Sequence, residues 1–330
     1  MNFCTLFDSN YASKGIALYL SLEQHTDDFV LYVMGMDRKC QEILNSIGFK
    51  HMIVECIDDV DSPELAEAKS NRSRAEFCWT CGSFFTDYFL NKYNLPDITY
   101  LDSDLMFFNS PKLVFDEFEQ KNASVGLAPH FMKYPLFGKY CVQYVYFKND
   151  NDGRECLRWW RDESLKWCYS RVEDGKYGDQ KYLDYFADRY NHVSETENRG
   201  VGVAYWNMNA SKFKDDYTFY KGYKWPTVFF HYSGINVQVT DGVMTFRHTM
   251  YLTDNICKTF IEPYAKLMKK VFADYLNTPV ENINIIPLSK RDNLTKRLMF
   301  YLSKVLPIDW IVYRFMRNKY KESHKPYSEK

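Results

Sequence analysis

Apolar and polar residues alternate along the first hundred positions in two distinct rhythms. Short apolar runs, "FCTLF" (3–7), "FVLYVMGM" (29–36), "HMIVECI" (51–57) and "ITYL" (98–101), have the length and side chains of buried strands. Between them, "SKGIALYLSLEQH" (13–25), "RKCQEILNSI" (38–47) and "SRAEFCWTCGSFFTDYFLNKY" (73–93) read as helices, with Ser13 as the expected cap of the first. This alternation predicts an α/β protein, a mainly parallel sheet flanked by helices. In such sheets, ligands bind beyond the carboxyl ends of the strands.

The second half is more mixed. "SVGLAP" (124–129) and "YCVQYVYFK" (140–148) read as strands, and "GRECLRWWRDESLKWCYSRV" (153–172) as an amphipathic helix. A further helix is expected over "GDQKYLDYFADRY" (178–190), opened by Gly178. "GVGVAYW" (200–206) and "TVFFHYSG" (227–234) read as extended.

Composition narrows the class. Of 330 residues, 46% are hydrophobic and 26% charged, an ordinary globular balance, and a net charge of −1 gives no global field to recruit nucleic acid. The charge is uneven: between 289 and 330, eleven Lys/Arg face four Asp/Glu, so the tail carries +7 and the rest −8. Large apolar residues interleave these basic ones. That pattern suits either peripheral contact with an anionic membrane or a packed helical pair with a solvated basic face. Nine cysteines, odd in number and scattered, fit reduced thiols in a cytoplasmic protein. "CWTC" (78–81) is the one CxxC and reads as helix packing. The opening "MNFCTLFDSN" lacks the pattern of a signal peptide, and no apolar run reaches the ~18–20 residues that span a bilayer.

Five constellations carry candidate chemistry. In "YLDSDLMFF" (100–108), Asp102 and Asp104 flank Ser103 directly after an apolar strand and should project the same way. Paired carboxylates there suit an oxygen-seeking divalent ion, Mn²⁺ or Mg²⁺, that also grips phosphate. A solvated polar turn would explain the same residues. In "FFHYSG" (229–234), His231 ends a strand ahead of Gly234, and its imidazole would favour Mn²⁺ over Ca²⁺. Asp179 and Gln180 in "YGDQKYLD" could face a reacting carbon or cap a helix. Asp8, Asn10 and Tyr11 in "FDSNYASKG" offer what a nucleobase and ribose need, and a polar turn after a strand would explain the same residues without a ligand. Arg72 and Arg74 stand at a helix start, where a bound diphosphate would compensate their charge.

In this order, the motifs over roughly residues 2–240 resemble those of GT-A nucleotide-sugar glycosyltransferases, closest in pattern to the retaining family eight. The resemblance implies a GT-A (Rossmann-like) catalytic domain over 1–250, with a nucleotide-sugar half at about 1–110 and an acceptor-side half at about 111–250. A helical, basic C-terminal region would follow over 251–330. It implies Asp102, Asp104 and His231 as ligands of Mn²⁺ (or Mg²⁺), and Asp8, Asn10, Tyr11, Arg74, Ser103 and Gly234 as the donor site. Gln180 and Asp179 would be the catalytic pair beside the anomeric carbon. The expected reaction moves a hexose from a nucleotide sugar, in all expectation a UDP-sugar, to a glycan or glycolipid acceptor in bacterial surface polysaccharide assembly. The expected place is the cytoplasm, with or without peripheral contact at the inner face of the plasma membrane. The family follows its histidine motif with a phosphate-binding lysine; here the chain reads "HYSGINVQV", which leaves that charge to Arg247 or to the tail. The competing readings are a sugar nucleotidyltransferase, for which "FDSNYASKG" lacks a glycine-rich phosphate loop, and a non-catalytic carbohydrate- or membrane-binding protein.

Overall fold

A computed structural model describes residues 1–132, 137–248, 252–286 and 294. The basic stretch 289–330 lies outside the described residues, Leu294 apart.

The strands and helices expected in the first half form, with a further helix over Pro63–Asn71 where no element was expected. Strands β1 (Asn2–Phe7), β2 (Val30–Gly35), β3 (Met52–Cys56) and β4 (Asp97–Leu101) alternate with helices α1 (Ala12–Glu23), α2 (Arg38–Ile47), α3 (Pro63–Asn71) and α4 (Arg74–Lys92). Then come β5 (Leu105–Phe107), α5 (Lys112–Gln120), β6 (Val125–Pro129), β7 (Tyr140–Lys148), α6 (Asn151–Lys166), α7 (Phe186–Arg189) and β8 (Val193–Glu195). Seven strands form the central sheet in the order β3-β2-β1-β4-β7-β6-β8. All its pairs are parallel except those made by β7, which runs antiparallel to β4 and β6.

Alternation along β1 divides the core. Phe3 and Phe7 join one apolar layer with α1, α2 and α5, while Cys4 and Leu6 join another with α3, α4 and α6. Helix α4 is nucleated by a capping box, in which Ser73 accepts from the Glu76 N–H and the Glu76 side chain accepts from the Ser73 N–H. Gly15 lets α1 settle onto β1: a Cβ at that position would stand 2.1 Å from the Phe7 ring.

Short pieces complete the chain. β9 (Val203–Ala204), β10 (Lys212–Lys214), β11 (Tyr217–Tyr220), β12 (Tyr223–Pro226) and β13 (Phe229–His231) are followed by β14 (Ile235–Thr240) and β15 (Val243–His248). β13 lies between β5 and β9 in a three-stranded sheet, with His231 opposite Leu105. Past 251, α8 (Asp254–Ile256), a π-helical turn (Cys257–Ile261) and α9 (Glu262–Lys270) pack on the α1 layer. β16 (Asn282–Ile286) then pairs parallel with β15. No helix among the described residues is long and apolar enough to cross a membrane.

Several local expectations are corrected. The N-cap of α1 is Tyr11, and Ser13 sits buried in the first turn. α6 ends at Lys166 rather than continuing to 172. No helix starts at Gly178, whose φ of +52° breaks helical geometry; a 3₁₀ turn over Lys181–Tyr185 follows, with Gln180 at its N-cap. Of 200–206 and 227–234, only the strands β9 and β13 are regular.

Candidate active site

Main-chain bonds hold the strand ends that carry the acids. The Asp102 N–H donates to the Gln143 carbonyl on β7 at 3.3 Å, and the Tyr232 N–H donates to the Asp104 carbonyl at 2.9 Å. The tight turn between β4 and β5 thus presents both carboxylates toward β13. His231 Nε2 lies 2.9 Å from Asp104 Oδ1 and 3.6 Å from Asp102 Oδ2. The resemblance implied that these three meet, and the structure brings their side chains within 2.9–3.6 Å.

His231 is oriented from behind. Its Nδ1 is 2.9 Å from Gln143 Oε1, a bond that leaves Nε2 turned to the carboxylates. This is how ligating imidazoles are commonly held. On the far side of the acids, Lys14 Nζ reaches Asp104 Oδ2 at 3.3 Å and lies 4.4 Å over the Tyr11 ring. Asp8 accepts from the backbone N–H groups of Asn10 and Tyr11 at 2.9 and 3.2 Å and pairs with Arg74. The turn after β1 and the start of α4 therefore meet at one edge of the acid cluster. Asn10 and Tyr11 are exposed there, and Ser103 is half-buried between the aspartates.

No protein-family model matches the chain. It is 30% identical over 250 residues to the uncharacterized protein YfnF of Bacillus subtilis (strain 168), a match spanning 71% of this chain and 82% of YfnF. The chain belongs to the YfnF family. YfnD of the same organism, also uncharacterized, is 29% identical over 247 residues, covering 72% of this chain and 78% of YfnD. Among solved structures, galactosyltransferase LgtC with donor and acceptor sugar analogs overlaps 81% of this chain and 95% of its own, with 15% identity and a TM-score of 0.49. Mouse xyloside xylosyltransferase 1 overlaps 63% of this chain and 90% of its own, with 12% identity and a TM-score of 0.43. Overlaps this loose carry no weight for chemistry; the side chains do.

In this YfnF-family chain, the acid cluster is electrostatically sorted. Burial raises the Asp102 carboxyl to about 7 against the pull of His231. Burial would raise Asp104 as well, but His231 and Lys14 hold it far below the usual carboxylate range. His231 goes the other way: burial disfavours its charge, and Asp104 outweighs that and holds the proton. Asp179 is buried and lies close enough to Asp102 to feel its charge, so its carboxyl is pushed well above the ordinary range. Its carbonyl accepts from Trp160 Nε1 at 2.9 Å. Of these neighbouring carboxyls, Asp102 and Asp179 are thus pushed up and Asp104 down, the kind of divergence that separates acid from base roles. Gln180, the next residue, donates its amide to the Phe137 carbonyl at 3.0 Å. Gly234 turns the chain after His231 with φ +78°.

Two further expectations are settled by contacts. Arg72 donates to the Thr80 hydroxyl and the Leu165 carbonyl, so its charge serves the α3–α4–α6 layer. Cys78 and Cys81 lie on α4, where burial pushes the Cys78 thiol up to about 11 and Cys81 well above its usual value. They are packing residues.

The sequence pattern missed Lys14, Gln143, Cys141 and His130. Burial opposes ionisation of the Cys141 thiol, yet His130 and His231 draw it down to about 6. The β6–β7 register shifts between Leu127 and Ala128, whose partners are Val145 and Cys141. Such bulges re-aim side chains beside functional sites. Lys14 could have been suspected as the one basic residue in the run "YASKGIALYLSL". Arg247, by contrast, is an exposed residue of β15.

Proposed function

We propose that the chain is a metal-dependent glycosyltransferase that moves a hexose from a nucleotide sugar, a UDP-sugar above all, to a glycan or glycolipid. The supporting observation is the convergence of Asp102, Asp104 and His231 at the carboxyl end of the sheet, beside a polar turn able to take a nucleoside. Two carboxylates and an imidazole whose far nitrogen is already bonded fit Mn²⁺, and with less preference Mg²⁺. When bound, such a cation supplies positive charge against the departing diphosphate.

The chain's own groups perform the rest. Asp8, Asn10 and Tyr11 bind base and ribose, while Arg74 and Ser103 line the donor and Gly234 lets backbone approach it. Lys14, next to Asp104, adds a fixed positive charge beside the acid cluster. Asp179, whose carboxyl burial pushes upward, contacts sugar hydroxyls. Gln180 flanks the anomeric carbon but is a poor nucleophile, which favours front-face substitution with retention. In that route the leaving phosphate takes the acceptor's proton as the glycosidic bond forms. The basic segment 289–330 would hold the enzyme against an anionic cytoplasmic membrane face, where surface glycans are assembled.

The test is a panel of nucleotide sugars incubated with purified chain and Mn²⁺, with release of nucleoside diphosphate as the readout. One donor should be cleaved only with metal, and Asp104→Ala should abolish cleavage while the fold is retained. A fully active Asp104→Ala chain, or pyrophosphate as the product, would sink this reading.

A further inference from the structure

Cys141 on β7 stands inside the acid cluster. Its Sγ, a carboxylate oxygen of Asp102 and a ring nitrogen of His231 all lie within 4.8 Å of one another. Ligand atoms around a tetrahedral zinc stand about 3.5 Å apart, so modest closure brings all three onto one ion. Asp104 borders the same cluster, its two oxygens in contact with Lys14 and His231.

The surroundings of the thiol are not those of a packing cysteine. It lies beside the His231 ring, and His130 is near enough to act on its charge. His130 is only 8% exposed, and its Nδ1 has no hydrogen-bond partner among the described residues. Trp206 stands edge-to-face against both rings, with centroids 5.3 Å away in each case. Aromatic walls around mixed oxygen, nitrogen and sulfur donors make a pocket that excludes water from a bound ion.

We propose that Cys141 is a thiolate ligand of the divalent-cation site, joining Asp102 and His231 and turning its preference from Mg²⁺ and Mn²⁺ toward thiophilic ions such as Zn²⁺ and Co²⁺. The proposal rests on the cation-dependent reading above and sharpens it. Sulfur is the soft member of the donor set, and soft donors select these ions, whereas carboxylates alone suit Mg²⁺ and Mn²⁺. Binding releases the thiol proton to solvent. Three protein ligands leave a fourth position for Asp104 or a donor oxygen.

The full chain, freed of metal by a chelator and kept reduced, is titrated with Co²⁺ alone. Sulfur ligation gives a near-ultraviolet charge-transfer band that oxygen and nitrogen ligands do not. The wild type should show it, and a Cys78→Ser, Cys257→Ser double variant, lacking the two half-exposed thiols, should keep it. Cys141→Ser should lose the band and weaken Zn²⁺ binding by at least about 10–100-fold, the usual cost of disturbing a ligand's support. Its Mg²⁺ affinity should fall far less than its Zn²⁺ affinity. Bound Co²⁺ without the band, or a band that survives in Cys141→Ser, overturns the thiolate ligand and leaves the carboxylate–histidine site standing. If the wild type binds none of Co²⁺, Zn²⁺ or Mn²⁺, both readings fall. Should Cys141→Ser not fold, the wild-type and double-variant spectra still decide.

Discussion

Lys14 and Asp104, ninety positions apart in the chain, form an ion pair of 3.3 Å in which both side chains are largely buried. The pair links the first turn of α1 to the acid cluster, so one cation serves two elements of the site. Replacing Lys14 by Met removes the charge and keeps the length. Donor cleavage should fall by about 10²–10³ in kcat, the usual loss when one fixed stabilising donor is removed. Steady-state release of nucleoside diphosphate measures it, with circular dichroism to confirm the fold. A variant as fast as the wild type would remove Lys14 from the reaction.

Gln143 touches no proposed ligand atom directly, yet it fixes which nitrogen of His231 faces the acids. Gln143→Leu should weaken Mn²⁺ binding about 10–100-fold by calorimetric titration. Unchanged affinity would mean that His231 needs no help in orienting.

Stability is tested at Gly15. Ala at this position drives a methyl into the Phe7 ring. Overpacking of this kind costs about 1–3 kcal/mol, which a lower urea midpoint should reveal. An unshifted midpoint would show that Phe7 can turn aside freely.

Glu55 on β3 offers a test in acid. Burial would raise its carboxyl, but Lys92, Tyr88 and Tyr93 donate to it and hold it below the ordinary value. A depressed folded value means that the stabilisation is complete above the unfolded value of about 4.3 and is lost as pH falls through the folded one. Glu55→Gln should therefore lower stability at neutral pH and flatten the fall below pH ~4. Parallel acid limbs in wild type and variant would contradict this.

The alternation of apolar runs with helical stretches was legible because β1, β2 and β4 are buried on both faces and so read as continuous apolar sequence. The acid pair was legible for the same reason, since charges directly after such a run are conspicuous. Lys14 was hidden because its partner lies ninety positions away and its neighbours read as ordinary helix. Cys141 was hidden in an apolar strand, where a thiol looks like packing; only the register shift at Ala128 and the two histidines beyond it reveal its setting. The helix expected at Gly178 failed on a single backbone angle that composition does not report.

The backbone bonds from Asp102 to Gln143 and from Tyr232 to Asp104 have a consequence for how this family can change. They belong to the peptide groups and would persist whatever side chains the positions carried. A descendant could lose every ligand and keep its shape, or exchange one donor atom for another and adopt a different ion, without refolding. Chemistry here is a set of replaceable fittings on a frame that does not depend on them.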